Sequence, residues 1–457
     1  MTTQAMTYGG HVRAISKLGL PLIGGHLAQF AIGLTDTVML GWYGVEALAA
    51  VTLAGSYFFV FFLMGSGFGW AVMPMVAAAE AKGDQTSIRR ATRMGLWLSL
   101  AFATLVMPVF WWSESILLAL GQGADVAARA GQYLRIGGWG IIPALLVMVL
   151  KSYLAALERT QIVLWITVAA AVVNAIVNYA LIFGNWGAPE LGVVGAAIAT
   201  VATQLVSLGA VIFYAVRSLP EHSLFQRFWR PDWEMLGSVF RLGVPIGLTN
   251  LSEVSLFAAS TMMMGWFGTI PLAAHGITLQ LTSATFMVHV GLSNAATIRA
   301  GNAFGRRDRA HMGKGAIVVT MMSLVTAALT IFCFLVWPEP LLSLFMDNAD
   351  PDRPEILRIG AGLLAVAALF QLVDGAQVIA LGLLRGVQDT AVPMVIAALS
   401  YWAVGIPVSY LMGFVWEWQG VGVWLGLVCG LACAGILLMW RFWTVGLSKV
   451  GTQPEAA

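Results

Sequence analysis

Three carboxylates sit where a chain this apolar has little reason to keep them: Asp36, Glu253 and Asp374 each fall deep inside a long apolar stretch. A charged acid at the centre of a membrane helix costs about 2.5–3.5 kcal/mol on insertion scales. The sequence offers no lysine or arginine at comparable depth to neutralise them. Each acid must therefore be protonated, face water or bind a cation. Desolvation penalises the charged form of a carboxyl group, so proton exchange belongs to its chemistry as much as cation binding does. A carboxylate that holds in turn a proton, a sodium ion or a cationic substrate is the minimal device for coupled transport.

The neighbouring polar residues suggest two sites. Asn174 and Asn178 are separated by four residues on one predicted helix, so both amides share a face. If that face meets Asp36, an oxygen-rich pocket for a small hard cation results, and Thr200 adds another oxygen. The plainer alternative is that the asparagines only bond across helices as packing contacts. Glu253 and Asp374 can meet only through folding; once together they share a proton or hold a cation between them. Their alternative is a protonated, hydrogen-bonded pair with a purely structural role. Phe370, one turn before Asp374, could offer a ring face to an organic cation. Gln280 and His275 are candidate cavity-lining residues, as are His26 and His289, although membrane histidines commonly serve packing.

Positioning these groups requires membrane helices. Hydrophobic residues make up 59% of the 457 positions and charged residues 10%, against roughly 25% charged in soluble domains. Stretches such as 162–183 and 421–440 are free of charge and long enough to cross about 30 Å of hydrocarbon. Apolar runs between charged or Pro/Gly-rich breaks define twelve spans, with centres near Ile32, Phe59, Ala101, Leu145, Val173, Thr203, Ser255, Phe286, Ala327, Leu369, Ser400 and Gly430. The 50 glycines suit close helix packing in lipid. Cys333, Cys429 and Cys433 read as small apolar fillers. The N-terminal segment is polar and the first apolar run carries Asp36, unlike a cleavable signal core. Of the 24 Lys and Arg residues, all but Arg129, Arg135, Arg353 and Arg358 lie at the termini or in even-numbered connections, which places both termini in the cytoplasm. Acidic residues Glu339, Asp347, Asp350, Asp352 and Glu355 gather in the outer connection after the ninth span. The basic loops signal topology at an anionic lipid surface, not nucleic-acid binding.

The spans repeat. Leu18-Gly19-Leu20-Pro21 returns as Leu242-Gly243-Val244-Pro245, and Gly41-Trp42-Tyr43-Gly44 as Gly265-Trp266-Phe267-Gly268, both displaced by 224. Leu48-Ala49-Ala50 returns as Leu272-Ala273-Ala274 at the same offset, and Leu134-Arg135-Ile136-Gly137 as Leu357-Arg358-Ile359-Gly360 at 223. The expected organisation is an all-α membrane protein of two six-helix bundles, 14–216 and 239–446. A cytoplasmic linker (217–238) joins them and a tail (447–457) follows. Six spans per half make the repeat parallel, an architecture suited to alternating access about a central cavity. Pro21 and Pro245, at matching positions, could bend the first and seventh spans. No metal-ligand cluster, nucleophile–base pair or phosphate-binding glycine loop appears in an aqueous segment, which argues against an enzyme.

With these residues in view, the sequence resembles the multidrug and toxic compound extrusion (MATE) family, in its NorM-like bacterial branch, over about residues 14 to 446. The resemblance rests on Asp36, on Asn174 and Asn178, and on the Glu253/Asp374 pair. It extends to Ala81-Lys82-Gly83-Asp84, to Arg299-Ala300-Gly301-Asn302-Ala303-Phe304-Gly305, and to the segment Gly382 to Thr390. Glu80 stands where the family commonly has glutamine, and Phe370 where it often has tyrosine. The resemblance implies a V-shaped, monomeric inner-membrane antiporter that exports cationic drugs or dyes in exchange for Na+ or H+, without a cofactor. Asp36, Asn174, Asn178 and Thr200 would form a first-lobe cation site, and Glu253, Asp374 and Phe370 a second-lobe site. The competing expectation, a lipid-linked oligosaccharide flippase, calls for a cavity rich in arginine or lysine to grip diphosphate.

Overall fold

The computed structural model describes residues 6–346 and 351–451; Asp347 and Asp350 of the acidic outer connection lie outside the described residues. Among the described residues there is no strand. Six long helices form the first half: α1 (Tyr8–Tyr43), α2 (Val45–Lys82), α3 (Gln85–Trp111), α4 (Ala124–Ala156, with a 3-10 turn at Gly138–Gly140), α5 (Thr160–Phe183) and α6 (Val193–Ser218). Six form the second: α7 (Trp233–Trp266), α8 (Thr269–Arg306), α9 (Arg309–Val336), α10 (Arg353–Gly386), α11 (Ala391–Val415) and α12 (Gln419–Lys449). Eleven of these are long and apolar enough to cross a membrane. The exception, α8, spans 38 residues but carries buried His275, His289, Asn294 and Asn302.

Helix ends follow local chemistry. Asp84 caps α3 by accepting from the Ser87 backbone N–H at 3.0 Å, and Asp308 caps α9 through His311 at 2.9 Å. Gly83, with φ 71°, terminates α2 in the left-handed conformation that only glycine adopts without strain. At 38 residues each, α2 and α8 are about 57 Å long at 1.5 Å per residue, well beyond the hydrocarbon thickness. Residues such as Arg299, assigned to connections from the sequence, therefore ride on helix ends.

Packing divides the chain into two compact units, Gly24–Gly247 and Met1–Ile23 with Leu248–Ala457. Both boundaries fall inside helices, two residues after Pro21 and Pro245, rather than in the polar segment 217–238. Small residues let backbones approach within each unit. A Cβ on Gly67 of α2 would stand 2.2 Å from the Gly243 carbonyl oxygen of α7. The equivalent Gly291 of α8 would meet the Ile23 backbone nitrogen of α1 at 2.8 Å. In the second unit, Gly422, Gly426 and Gly430 of α12 pack against Met412, Ser409 and Gly405 of α11, a small-xxx-small stripe. Ser400–Gly405 and Leu411–Val415 of α11 wind as π-helix, a form frequent at functional sites.

Candidate functional site

In the unit Gly24–Gly247, α1 and α5 bring Asp36, Asn174 and Asn178 together. Asn178 Nδ2 donates to Asp36 Oδ1 at 2.5 Å and to Asn174 Oδ1 at 3.2 Å, so one amide bridges the other two side chains. Both asparagines are buried, and Asn178 Oδ1 has no hydrogen-bond partner among the described residues. A buried oxygen beside a carboxylate is an acceptor that suits a cation or a water. Thr200 on α6 does not join this triad through a direct hydrogen bond to it. Its hydroxyl donates to the Ala196 carbonyl and sits 3.2 Å from the Tyr133 hydroxyl of α4. Tyr133 in turn lies close enough to Asp36 to interact electrostatically. Sequence reasoning missed Tyr133, although it directly precedes the repeated segment Leu134–Gly137.

The second unit brings Glu253 of α7 and Asp374 of α10 within electrostatic reach of each other. Asp374 is 2% exposed, and Asp374 Oδ1 and Glu253 Oε1 are buried without a hydrogen-bond partner among the described residues. Tyr401, in the π-helical turn of α11, lies within electrostatic reach of both acids. Its hydroxyl accepts from Gln377 Nε2 at 2.5 Å, and Gln377 lies one turn beyond Asp374. Gln371, one turn before Asp374, is buried with both amide atoms unpartnered among the described residues.

Arg385 corrects the sequence-based reading. Its count as a loop residue left the acids without a buried basic neighbour. Instead it lies within α10 at 7% exposure, donates to Asn250 Oδ1 at 3.0 Å and feels the charge of Glu253. The helix simply runs further than the charge pattern suggested. In the other unit, Lys151 donates to Thr167 at 2.8 Å from inside α4.

Two further expectations change. The ring of Phe370 is not an open face: it is 2% exposed and meets Phe257 at 5.9 Å and Trp424 at 5.6 Å, both edge-on. His275 is not a cavity-lining residue either. It is fully buried, accepts from Trp424 Nε1 at 3.1 Å through Nδ1 and lies 3.0 Å from the Thr261 hydroxyl through Nε2. His289 pairs with Ser323 at 2.9 Å. Gln280 is exposed.

Against this geometry the chain can be compared with known proteins. The MatE family profile matches residues 21–180 and again 245–411, two matches whose starts differ by 245 − 21 = 224, the offset of the internal repeat. The chain belongs to the MatE family. Its relatives include two proteins named probable multidrug resistance protein NorM. The one from Rhizobium meliloti is 46% identical over 98% of this chain and 96% of its own length. That from Agrobacterium fabrum is 44% identical over 94% and 93%. In fold the chain is similar to a MOP superfamily transporter from Pyrococcus furiosus, with a TM-score of 0.86, 19% identity, and coverage of 99% and 100%. That protein is described as having a binding pocket of reverse polarity and a different function. At such identity only the fold carries over. Function has to be argued from the residues of the site itself, not from the fold.

Proposed function

We propose that this MatE protein is a secondary multidrug exporter that moves amphipathic organic cations outward in exchange for inward Na+ or H+. The observation that carries this reading is the pair of acidic clusters inside apolar helices, each with at least one buried oxygen that has no hydrogen-bond partner among the described residues. Binding of the coupling ion neutralises a carboxylate and lowers its hold on an organic cation. Release of that ion on the other side restores the charge that captures the next substrate. Asp36 with Asn174 and Asn178 offers the more compact ion site, with the Thr200–Tyr133 hydroxyl pair beside it. Glu253 and Asp374 form a second site for an ion or for the cationic substrate. The reading takes the protein as a monomer in the bacterial inner membrane with both termini cytoplasmic, as the basic connections favour.

A flippase for diphosphate-linked lipids fits less well. Arg385 is committed to Asn250 and to the field of Glu253, and Lys151 to Thr167, which leaves no cluster of buried cations for a diphosphate among the described residues. The test is dye flux in proteoliposomes under sodium or proton gradients imposed separately. One gradient should drive a cationic dye, and Asp36→Asn should abolish that flux while the protein still inserts and expresses. Normal flux in the variant would sink the mechanism.

A further inference from the structure

The repeat allows the two units to be compared position by position at an offset of 224, fixed around α3 and α9 by the matching caps Asp84 and Asp308. In the unit Gly24–Gly247, the start of α7 is fastened to α3. Arg90 holds Asp232 at 2.5 and 3.1 Å and Glu234 at 2.9 Å. Below that pair, Phe240 stacks on Phe68 at 6.2 Å, and Phe68 meets Phe102 at 6.2 Å. Trp97 donates to the Phe228 carbonyl at 2.9 Å, and Arg93 donates to that of Gln226 at 2.6 Å, so the linker covers this seam.

The other unit carries none of these groups at the equivalent positions. Lys314 replaces Arg90, Tyr8 replaces Asp232, Ser16 replaces Phe240, Leu292 replaces Phe68, Thr326 replaces Phe102 and Met321 replaces Trp97. The ion pair becomes a lysine 5.9 Å over a tyrosine ring. Between the start of α1 and α9 there is instead a cavity of about 470 Å³, lined by Val12, Ser16, Leu20, Met321 and Val325 among others. That is within the roughly 300–1,000 Å³ of small-molecule sites. Leu20, Met321 and Val325 are more than half exposed, at 67%, 55% and 57%.

The lining settles what suits it. It contains no acidic residue, so an organic cation finds no counter-charge there. The Tyr8 end carries Lys314, and Arg13 and Lys17 are exposed on the same stretch of α1. An apolar slot ending among cations matches a lipid with a negative head group. We propose that this groove binds one acyl chain of an anionic phospholipid, with the phosphate held at Lys314. The proposal stands independently of the transport reading.

The test uses the full-length protein in nanodiscs with a trace of phosphatidylglycerol carrying a photoactivatable diazirine in its acyl chain. Irradiation and peptide mass spectrometry should locate adducts on the α9 peptide that contains Met321 and Met322. Unlabelled phosphatidylglycerol should displace them better than phosphatidylcholine, and Lys314→Gln should erase that difference. Ser16→Phe with Met321→Trp rebuilds the rings of the other unit and should cut the adducts severalfold; Val325→Phe fills the groove independently should the double variant not fold. Melting temperature and gel-filtration profile confirm that each scored variant is folded. The proposal is overturned if the α9 peptide carries no adduct, or if filling the groove leaves the adducts unchanged. It is equally overturned if a cationic dye displaces the probe while phosphatidylglycerol does not, which would assign the groove to the transported compounds.

Discussion

Asn178 spends both amide hydrogens on its neighbours, one on the Asp36 carboxylate and one on Asn174. Removing that amide takes from the buried acid the stronger of its two asparagine partners and from Asn174 its bridge, a larger loss than removing Asn174, the weaker of the two. Asn178→Ala should therefore impair gradient-driven dye flux more than Asn174→Ala does, and proteoliposome assays of the two side by side check the order. Phe370 makes the opposite case. Wedged between Phe257 and Trp424, it serves packing, so Phe370→Ala should cost about 3–5 kcal/mol of stability, as for buried aromatics elsewhere. A detergent melting curve should fall sharply while the surviving protein keeps its apparent affinity for dye. The acids and the asparagine pair were legible because charge in an apolar run and a spacing of four are signals in one dimension. Tyr401, Gln377, Tyr133 and Arg385 were not legible. Nothing local separates a tyrosine or glutamine at the site from one elsewhere, and Arg385 looked like a loop residue until α10 was seen to continue past it.

At the scale of elements, the glycine stripe of α12 decides how closely α11 can approach. A Cβ on Gly426 would come within 2.1 Å of Ser409 Oγ and 2.2 Å of its backbone nitrogen. Gly426→Val should separate the two helices, displace the π-helical turn that holds Tyr401, and lower both the melting temperature and the transport rate. The same substitution at Gly209 of α6, whose Cβ direction is open, is the control and should be nearly silent. The twelve helices and their repeat could be read from apolar run length and the recurring segments. Helix ends could not, because α2 and α8 extend well past the hydrocarbon and carry charge with them. That α8 would be less apolar along its length than a membrane-crossing helix needs was visible only in its histidines and amides, each of which reads equally well as packing.

For the molecule as a whole, the Arg90–Asp232 pair ties the segment between the halves to α3. Its hydrogen bond to Arg90 chiefly holds the Asp232 carboxyl below its ordinary value of 3.8. A depressed carboxylate contributes stability that is present above pH 3.8 and is lost as the pH falls through the folded value. Wild-type protein should therefore lose stability in that acid window, and Asp232→Asn should lose less there while being weaker at neutral pH; melting curves from pH 3 to 7 check the sign. The pair is partly exposed, so added salt should shrink the difference at neutral pH.

The boundaries inside α1 and α7 carry a consequence for biogenesis. Residues 8–23 leave the ribosome first but belong to a unit whose remainder begins at Leu248. The other unit, although it starts at Gly24, is completed only when the opening turns of α7 have been made. Neither half of the sequence, divided at the polar segment 217–238, thus contains the whole of one compact unit. A nascent chain halted after residue 216 lacks the segment that Gly67 and Arg90 are shaped to receive, while its first sixteen helical residues wait for partners not yet translated. Each compact unit draws residues from both duplicated halves, so each is complete only when both halves have been made.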